Sequence, residues 1–258
     1  MKKFTQRVIA LLVAAMVAIS IPVMAETESG ENGRKITFPD TITHWSQKHV
    51  AKLAALDIVK GQSNGNYGVD DTISQQEVIV MAVRLMGKEE EASKVTGNTG
   101  TSLETDHWAR DHVVYALREG ILQAGEEIKD NGHVKWGTRS AKREWVAKVM
   151  VRALGKEEEA AELAGEESGF RDHEDISEDA LGYVNAAVDL DIITGTTTND
   201  FLPLKTITRA ETASIFAKAL SHLPEKDNVT VGRVSAVSDT TLTVRDSEGD
   251  LQRIGLGN

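Results

Sequence analysis

The chain has no cysteine in its 258 residues. That absence excludes a disulfide scaffold, a thiolate metal site, a thiol nucleophile and a lipid-modified N-terminal cysteine. Aromatic residues make up only 5% of the sequence, so any surface that stacks on bases or sugars is small. Basic side chains are in the minority: 29 Lys and Arg stand against 40 Asp and Glu, a formal net charge of −11. Such a balance argues against nonspecific binding to nucleic acid or to an anionic membrane. The sequence contains no phosphate-cradling glycine loop and no serine-nucleophile elbow. Apart from one run near the N-terminus, no segment is apolar enough to span a bilayer. What is present is ordinary for a soluble globular protein, with 40% hydrophobic and 27% charged residues. The length allows one large domain or two to three small ones.

The exception is the first 25 residues. Lys2, Lys3 and Arg7 precede an apolar run from Val8 to Ile21, broken by Pro22 and followed by Val23-Met24-Ala25. A positive start, a short apolar stretch and small residues before a cut form the pattern of a secretory signal peptide. The run is shorter than the roughly 20 residues a membrane span needs. Cleavage after Ala25 removes three positive charges and no negative one, which takes the mature chain to −14. A mature protein of this kind is exported, with no membrane segment left.

Self-comparison organises the rest. Asp57-Ile58-Val59-Lys60-Gly61 reads like Asp191-Ile192-Ile193-Thr194-Gly195, and the two segments continue without a gap. Tyr67 then matches Phe201, Ile73 matches Ile207, and Glu77 matches Glu211. A middle copy has Gly120-Ile121-Leu122-Gln123 and then an insertion around Glu126 to His133. Openings match as well, Phe38-Pro39-Asp40 with Phe170-Arg171-Asp172 and His44-Trp45 with His107-Trp108. Each copy reads as helix, loop, helix. Val50, Leu53, Ala54 in the first helix correspond to Val113, Ala116, Leu117 and to Val184, Ala187, Val188. One such unit cannot bury its apolar stripe alone, whereas three packed together share a core. The expected boundaries are a signal peptide at 1–25, a linker at 26–37, and repeats at 38–87, 103–155 and 170–223. Connecting helices or linkers fill 88–102 and 156–169. The tail, 224–258, carries short alternating β-branched runs at Val229–Val231, Thr241–Val244 and Leu251–Ile254, with turn residues at Asp246–Asp250.

These residues carry a family resemblance. Phe170-Arg171-Asp172, Ile192-Ile193-Thr194-Gly195, Phe201-Leu202-Pro203 and Ile207-Thr208-Arg209-Ala210-Glu211 resemble the S-layer homology (SLH) repeat. The resemblance covers Phe38 to about Leu220. It implies a mainly α protein with three helix-loop-helix repeats in a pseudo-threefold helical domain, here followed by a short C-terminal β-meander. It further implies a secreted protein at the cell wall or S-layer surface. Such a protein binds noncovalently to secondary cell-wall polysaccharide, an anionic polymer, through grooves between repeats that take pyruvylated sugars. S-layer or other surface proteins are further partners. No cofactor or metal is implied. A β tail that docks another exported protein is the alternative role.

Two residue types start the second helices. Ser74 stands three residues before Glu77, and Thr208 three before Glu211. Both pairs read as capping boxes. Arg209 lies in the first helical turn, where the helix dipole disfavours a cation. A guanidinium beside free backbone amides makes an anion site, suited to a sugar ketal carboxylate. A structural ion pair to a nearby carboxylate is the competing role. In the first copy Gln75 replaces this arginine; the second copy's register is open by one residue, and aligning Arg152-Ala153-Leu154-Gly155 with Arg84-Leu85-Met86-Gly87 places Arg143 there, with Trp145 at the glutamate position. Trp45 and Trp108 can stack on a sugar face, yet each precedes an apolar helix, where core packing is the favoured role. Trp136 sits in the polar insertion and reads as an exposed contact. Gly61 and Gly195 read as helix-ending glycines that also approach the ligand in the SLH pattern. If the target is an anionic polymer, a chain at −14 is repelled overall, so adhesion rests on a few local cationic pockets, with Arg209 foremost, Arg143 second and the uncharged Gln75 groove last.

Catalysis has little support. Nothing places two carboxylates in a defined acid–base pair. His44 and His49, like His107 and His112, are five residues apart and do not share a helical face.

Overall fold

In a computed structural model, the described residues are 37–95, 103–128, 134–223 and the strands 233–237, 241–245 and 251–255. The signal peptide, the 229–231 run and the turn at 246–250 lie outside them. The chain divides into a helical unit, Lys35–Leu223, and a second unit that contains the three strands.

The helical unit is built from three helix pairs. These are α1 (Gln47–Ala55) with α2 (Gln75–Leu85), α4 (Arg110–Arg118) with α6 (Arg143–Ala153), and α8 (Glu178–Asp189) with α9 (Arg209–Ala219). Short helices α3 (Glu89–Ser93) and α7 (Glu157–Glu162) follow the first two pairs, and α5 (Ala124–Glu127) belongs to the middle pair's insertion. The strand leading into each second helix closes the assembly. Ile73 N–H donates to Ile207 O at 3.1 Å, Ala141 N–H to Ile73 O at 2.9 Å, and Ile207 N–H to Ala141 O at 3.0 Å. The three bonds form a ring in which every pair touches both others, a pseudo-threefold arrangement. Ile73, Ala141 and Ile207 are all buried at its centre, so the ring's backbone groups find partners away from water, as they must.

The first helices end alike. Asp57 and Asp191 adopt left-handed backbone, with φ of 59° and 51°, and Gly120 holds the same place in the middle pair with φ 75°. Ile58 N–H then donates to Leu53 O at 2.9 Å, Asp57 N–H to Ala54 O at 3.1 Å, and Ile192 N–H to Ala187 O at 3.0 Å. This is a Schellman closure. Gly61 and Gly195 therefore do not end the helices; they lie further along the loop. Their lack of a side chain answers a steric demand. A Cβ on Gly61 would stand 2.4 Å from the Phe38 ring, and one on Gly195 2.5 Å from Phe170. The opening phenylalanine of the first and third copies thus lies on its glycine. The aspartate two residues later pins the loop. Asp40 accepts from the Tyr67, Gly68 and Val69 amides at 2.8, 2.6 and 3.1 Å, and Asp172 from Phe201 and Leu202, both at 2.7 Å.

In the second unit β1 (Arg233–Val237), β2 (Thr241–Arg245) and β3 (Leu251–Gly255) form an antiparallel meander in sequence order. A bulge between Val234 and Ala236 interrupts the β1–β2 register. The first described strand is 233–237, where Val234 and Val237 pair with Val244 and Leu242.

Candidate functional site

The second helices α2, α6 and α9 each have 11 residues and begin at Gln75, Arg143 and Arg209. The backbone fixes this equivalence. Arg209 N–H donates to Asp71 O, Arg143 N–H to Lys205 O, and Gln75 N–H to Arg139 O. Ser74 and Thr208 form complete capping boxes with Glu77 and Glu211. Lys142 makes no side-chain cap at the start of α6, because an ammonium cannot accept from an amide, and Trp145 stands where the reciprocal glutamate would be.

The two arginines are held differently. Arg209 is 8% exposed. Its Nη1 donates to Glu77 Oε1 at 2.6 Å, its Nε to Tyr67 O at 2.8 Å and its Nη2 to Lys60 O at 3.1 Å. The guanidinium lies 4.7 Å above the Tyr67 ring, and burial pushes the Tyr67 hydroxyl up to about 12. Arg209 thus ties the third pair to the first, with all three nitrogens engaged inside the protein. The ion-pair role weighed for it is the one its geometry displays. Arg143 repeats only part of this pattern. Its Nη2 donates to Thr194 O at 2.6 Å and its guanidinium lies 5.2 Å from the Phe201 centroid. Its Nε is buried without a hydrogen-bond partner. Burial pulls Arg143 below the usual guanidinium value, and Glu211 and Asp172 only partly oppose this. The reason for the difference is the glutamate. Glu77 turns to Arg209, whereas Glu211 accepts from Lys205 at 2.5 Å. Lys205 and the remaining donors hold Glu211 below its usual value despite its burial.

Arg143 opens into a cleft of about 640 Å³ between α9 and α1. The Gly195 loop forms one side, Lys205 and Lys218 add positive charge, Glu211 adds a carboxylate, and Trp45 closes the end. Trp45 is 57% exposed, and Trp108 is 53% exposed at the equivalent place before α4. Core packing, the favoured sequence reading for both, is therefore wrong: each precedes its helix on the outer face, and the residue after it, Ser46 or Ala109, is the buried one. Trp45 lies between the rings of His44 and His49, at centroid distances of 5.3 and 6.3 Å. Burial, with Lys218 and Lys52, lowers the His49 value.

Trp136 reverses in the other direction. It is 3% exposed rather than a surface contact. Its indole N–H donates to Glu127 at 2.8 Å, that of Trp145 donates to the same carboxylate at 2.9 Å, and the two rings meet edge to face. A buried carboxylate satisfies both donors, so the polar insertion has an aromatic interior. The Gln75 side of the unit has no cation at the arginine position, and Gln75 Oε1 is buried without a partner. Sequence reasoning missed Lys205, Lys218 and the Glu127 cluster. The lysines sit at repeat positions, but only folding brings them to the cleft that Arg143 enters from another pair.

Comparison with known proteins bears on this geometry. The S-layer homology domain matches residues 37–79 and 170–213. The chain is 27% identical over 201 residues to the "Exoglucanase XynX" of Acetivibrio thermocellus, covering 78% of this chain and 17% of that protein. It is 25% identical over 246 residues to the "Surface-layer 125 kDa protein" of Lysinibacillus sphaericus, covering 94% and 19%. It is 29% identical over 155 residues to the "Middle cell wall protein" of Brevibacillus brevis, covering 59% and 14%. The chain thus spans less than a fifth of each of these relatives.

Proposed function

We propose that this is an exported cell-surface protein whose helical unit attaches noncovalently to secondary cell-wall polysaccharide in the α9–α1 cleft. The observation that carries the reading is Arg143: a half-buried guanidinium with an unsatisfied Nε, lining an open cleft that also holds an exposed indole. A sugar carrying an acidic ketal, such as a pyruvylated residue, supplies both complements. Its carboxylate pairs with Arg143, with Lys205 and Lys218 nearby, and its apolar ring face lies on Trp45. Glu211 limits how much negative charge the cleft tolerates, which favours a single carboxylate over a phosphate.

The middle pair, 103–155, is on this reading a third, diverged S-layer homology copy. Its place in the ring of backbone bonds, the left-handed Gly120 and the register of Arg143 support it. The reading is not catalytic. Similarity to an exoglucanase over 17% of that protein's length fits a shared attachment region on otherwise different proteins. By repeat register Arg209, Gly61 and Trp108 correspond to Arg143, Gly195 and Trp45 and fall at the α2–α4 groove, where Glu77 already neutralises the cation; Thr208 caps α9, and Gln75 falls at the α6–α8 groove. Neither is assigned a working role.

Titration with purified, pyruvylated wall-polymer fragments tests the proposal. Arg143→Ala and Trp45→Ala each weaken binding about tenfold or more, the value of one lost charge-assisted or stacking contact. Trp108→Ala leaves affinity unchanged. Unaltered binding by Arg143→Ala, or equal binding of polymer stripped of its ketals, overturns it.

A further inference from the structure

The three interhelical grooves are not equivalent. They lie between α9 and α1, α2 and α4, and α6 and α8. The repeat register places Lys218, Arg84 and Arg152 at one position along their walls. It places Ser214, Val80 and Lys148 at a second, and Trp45, Trp108 and Asp179 at a third. The α6–α8 groove therefore carries two cations on one wall and no tryptophan. Lys148 and Arg152 are 6% and 5% exposed.

Buried cations need a counter-charge, and the insertion of the middle copy supplies it. Helix α5 has no counterpart in the other two copies. Its Glu126 accepts from Arg152 Nη2 and Nη1 at 2.8 and 3.2 Å and lies 2.7 Å from Lys148 Nζ. Arg152 is further fixed by Tyr183, whose hydroxyl is 3.2 Å from Nε and whose ring is 4.7 Å below the guanidinium. Lys148 also reaches Asp179 at 2.9 Å. A two-pronged guanidinium, an ammonium and an aromatic floor around one carboxylate make the donor set of a carboxylate-binding site. The neighbouring Glu127 anchors the helix through the two indoles, so the carboxylate is delivered on a short tether.

We propose that the α6–α8 groove is a carboxylate-binding site that the chain fills with its own Glu126. The groove is closed to outside anions while α5 is docked, and its ligand once vacated is a small monocarboxylate. Burial alone would raise the Glu126 value, but the bonds from Arg152 and Lys148 hold it below the usual carboxylate range. The tethered group therefore stays ionised. This inference is independent of the wall-binding reading, because its probe is acetate rather than wall polymer.

Glu126→Ala vacates the site and leaves two buried cations facing Asp179 alone. Its Tm falls below that of the parent protein. Sodium acetate at about 0.2 M then restores at least half of that loss relative to sodium chloride at equal concentration, because a ligand that binds only the folded state stabilises it. Glu126→Gln, which keeps the side-chain volume, shows no preference for acetate. If Glu126→Ala is unfolded in chloride, refolding yield from urea in acetate against chloride reads the same equilibrium. Equal effects of acetate and chloride on Glu126→Ala, no refolding in acetate, or the same acetate preference in Glu126→Gln overturns the proposal.

Discussion

Replacing Arg209 by methionine keeps the apolar stem and removes the guanidinium. Glu77 then loses its cationic partner, keeping only the Ser74 cap, and the Tyr67 and Lys60 carbonyls lose their donors. Breaking a buried ion pair from one side costs about 3–5 kcal/mol. The Glu77 side chain is 33% exposed, so water compensates part of that, which favours the low end. Each orphaned carbonyl adds about 1 kcal/mol, and loss of the contact with the Tyr67 ring about 0.5–2 kcal/mol. One guanidinium makes all of these contacts, so they do not sum, and a net loss of about 3–4 kcal/mol follows. For a unit of this size that is a Tm decrease of roughly 10 °C. Arg143→Met is the control. With one carbonyl bond and an unpartnered Nε, it loses about 1 kcal/mol. Calorimetry or far-ultraviolet circular dichroism of the two variants reads the difference. In a cycle with Glu77→Gln, Arg209 and Glu77 couple by about 1–3 kcal/mol. Equal losses for the two methionine variants, or a loss below about 1 kcal/mol for Arg209→Met, would refute the assignment of one arginine to structure and the other to the cleft.

Asp40 offers a test by pH. Burial would raise its value, but the amides of Tyr67, Gly68 and Val69 outweigh this and hold it below 3.8. Its contribution is therefore present above the unfolded-state value and is lost as pH falls through the lower folded-state value. Asp40→Asn is expected to be clearly less stable than the parent in urea at pH 7, with the gap narrowing as acid takes the pH down through the lowered folded-state value. A gap that persists in acid contradicts this. Gly61→Ala forces a Cβ to 2.4 Å from the Phe38 ring, with an expected cost of about 1–3 kcal/mol. Much of that cost is expected to vanish in a Phe38→Leu background, measured by chemical denaturation. Glu127 points the opposite way. Burial raises its value above 4.5 despite the two indole donors, with Glu126 adding to the rise and Lys148 opposing it. Tryptophan emission is expected to change with a midpoint above pH 4.5, and the change to disappear in Glu127→Gln.

The repeat pattern determined a great deal. Apolar spacing at Val50, Val113 and Val184 called for helix pairs, and Ser74 with Glu77 marked a helix start to the residue. These are local properties: helix period and capping act within a few residues and are written in consecutive letters. The Phe-x-Asp openings and the loop glycines were visible as a motif. Their purpose, a phenylalanine ring lying on Gly61 and a carboxylate gathering three loop amides, needed coordinates, since the partners are more than twenty residues apart in sequence.

The tertiary structure alone decided which members of the motif are free. Arg209 and Arg143 occupy the same helical position and differ in their burial, in whether Nε finds a carbonyl, and above all in what a distant glutamate does. Glu77 turns to one arginine, while Lys205 draws Glu211 away from the other. Trp45, Trp108 and Trp136 reversed their expected places, because burial of an indole depends on whether a partner for its N–H exists inside, and Glu127 supplies one for Trp136, as it does for Trp145. Sequence determined the units. The ring of bonds through Ile73, Ala141 and Ile207 decided which side chains of one unit meet those of the next, and cleft, clamp and self-filled groove all arise at those junctions.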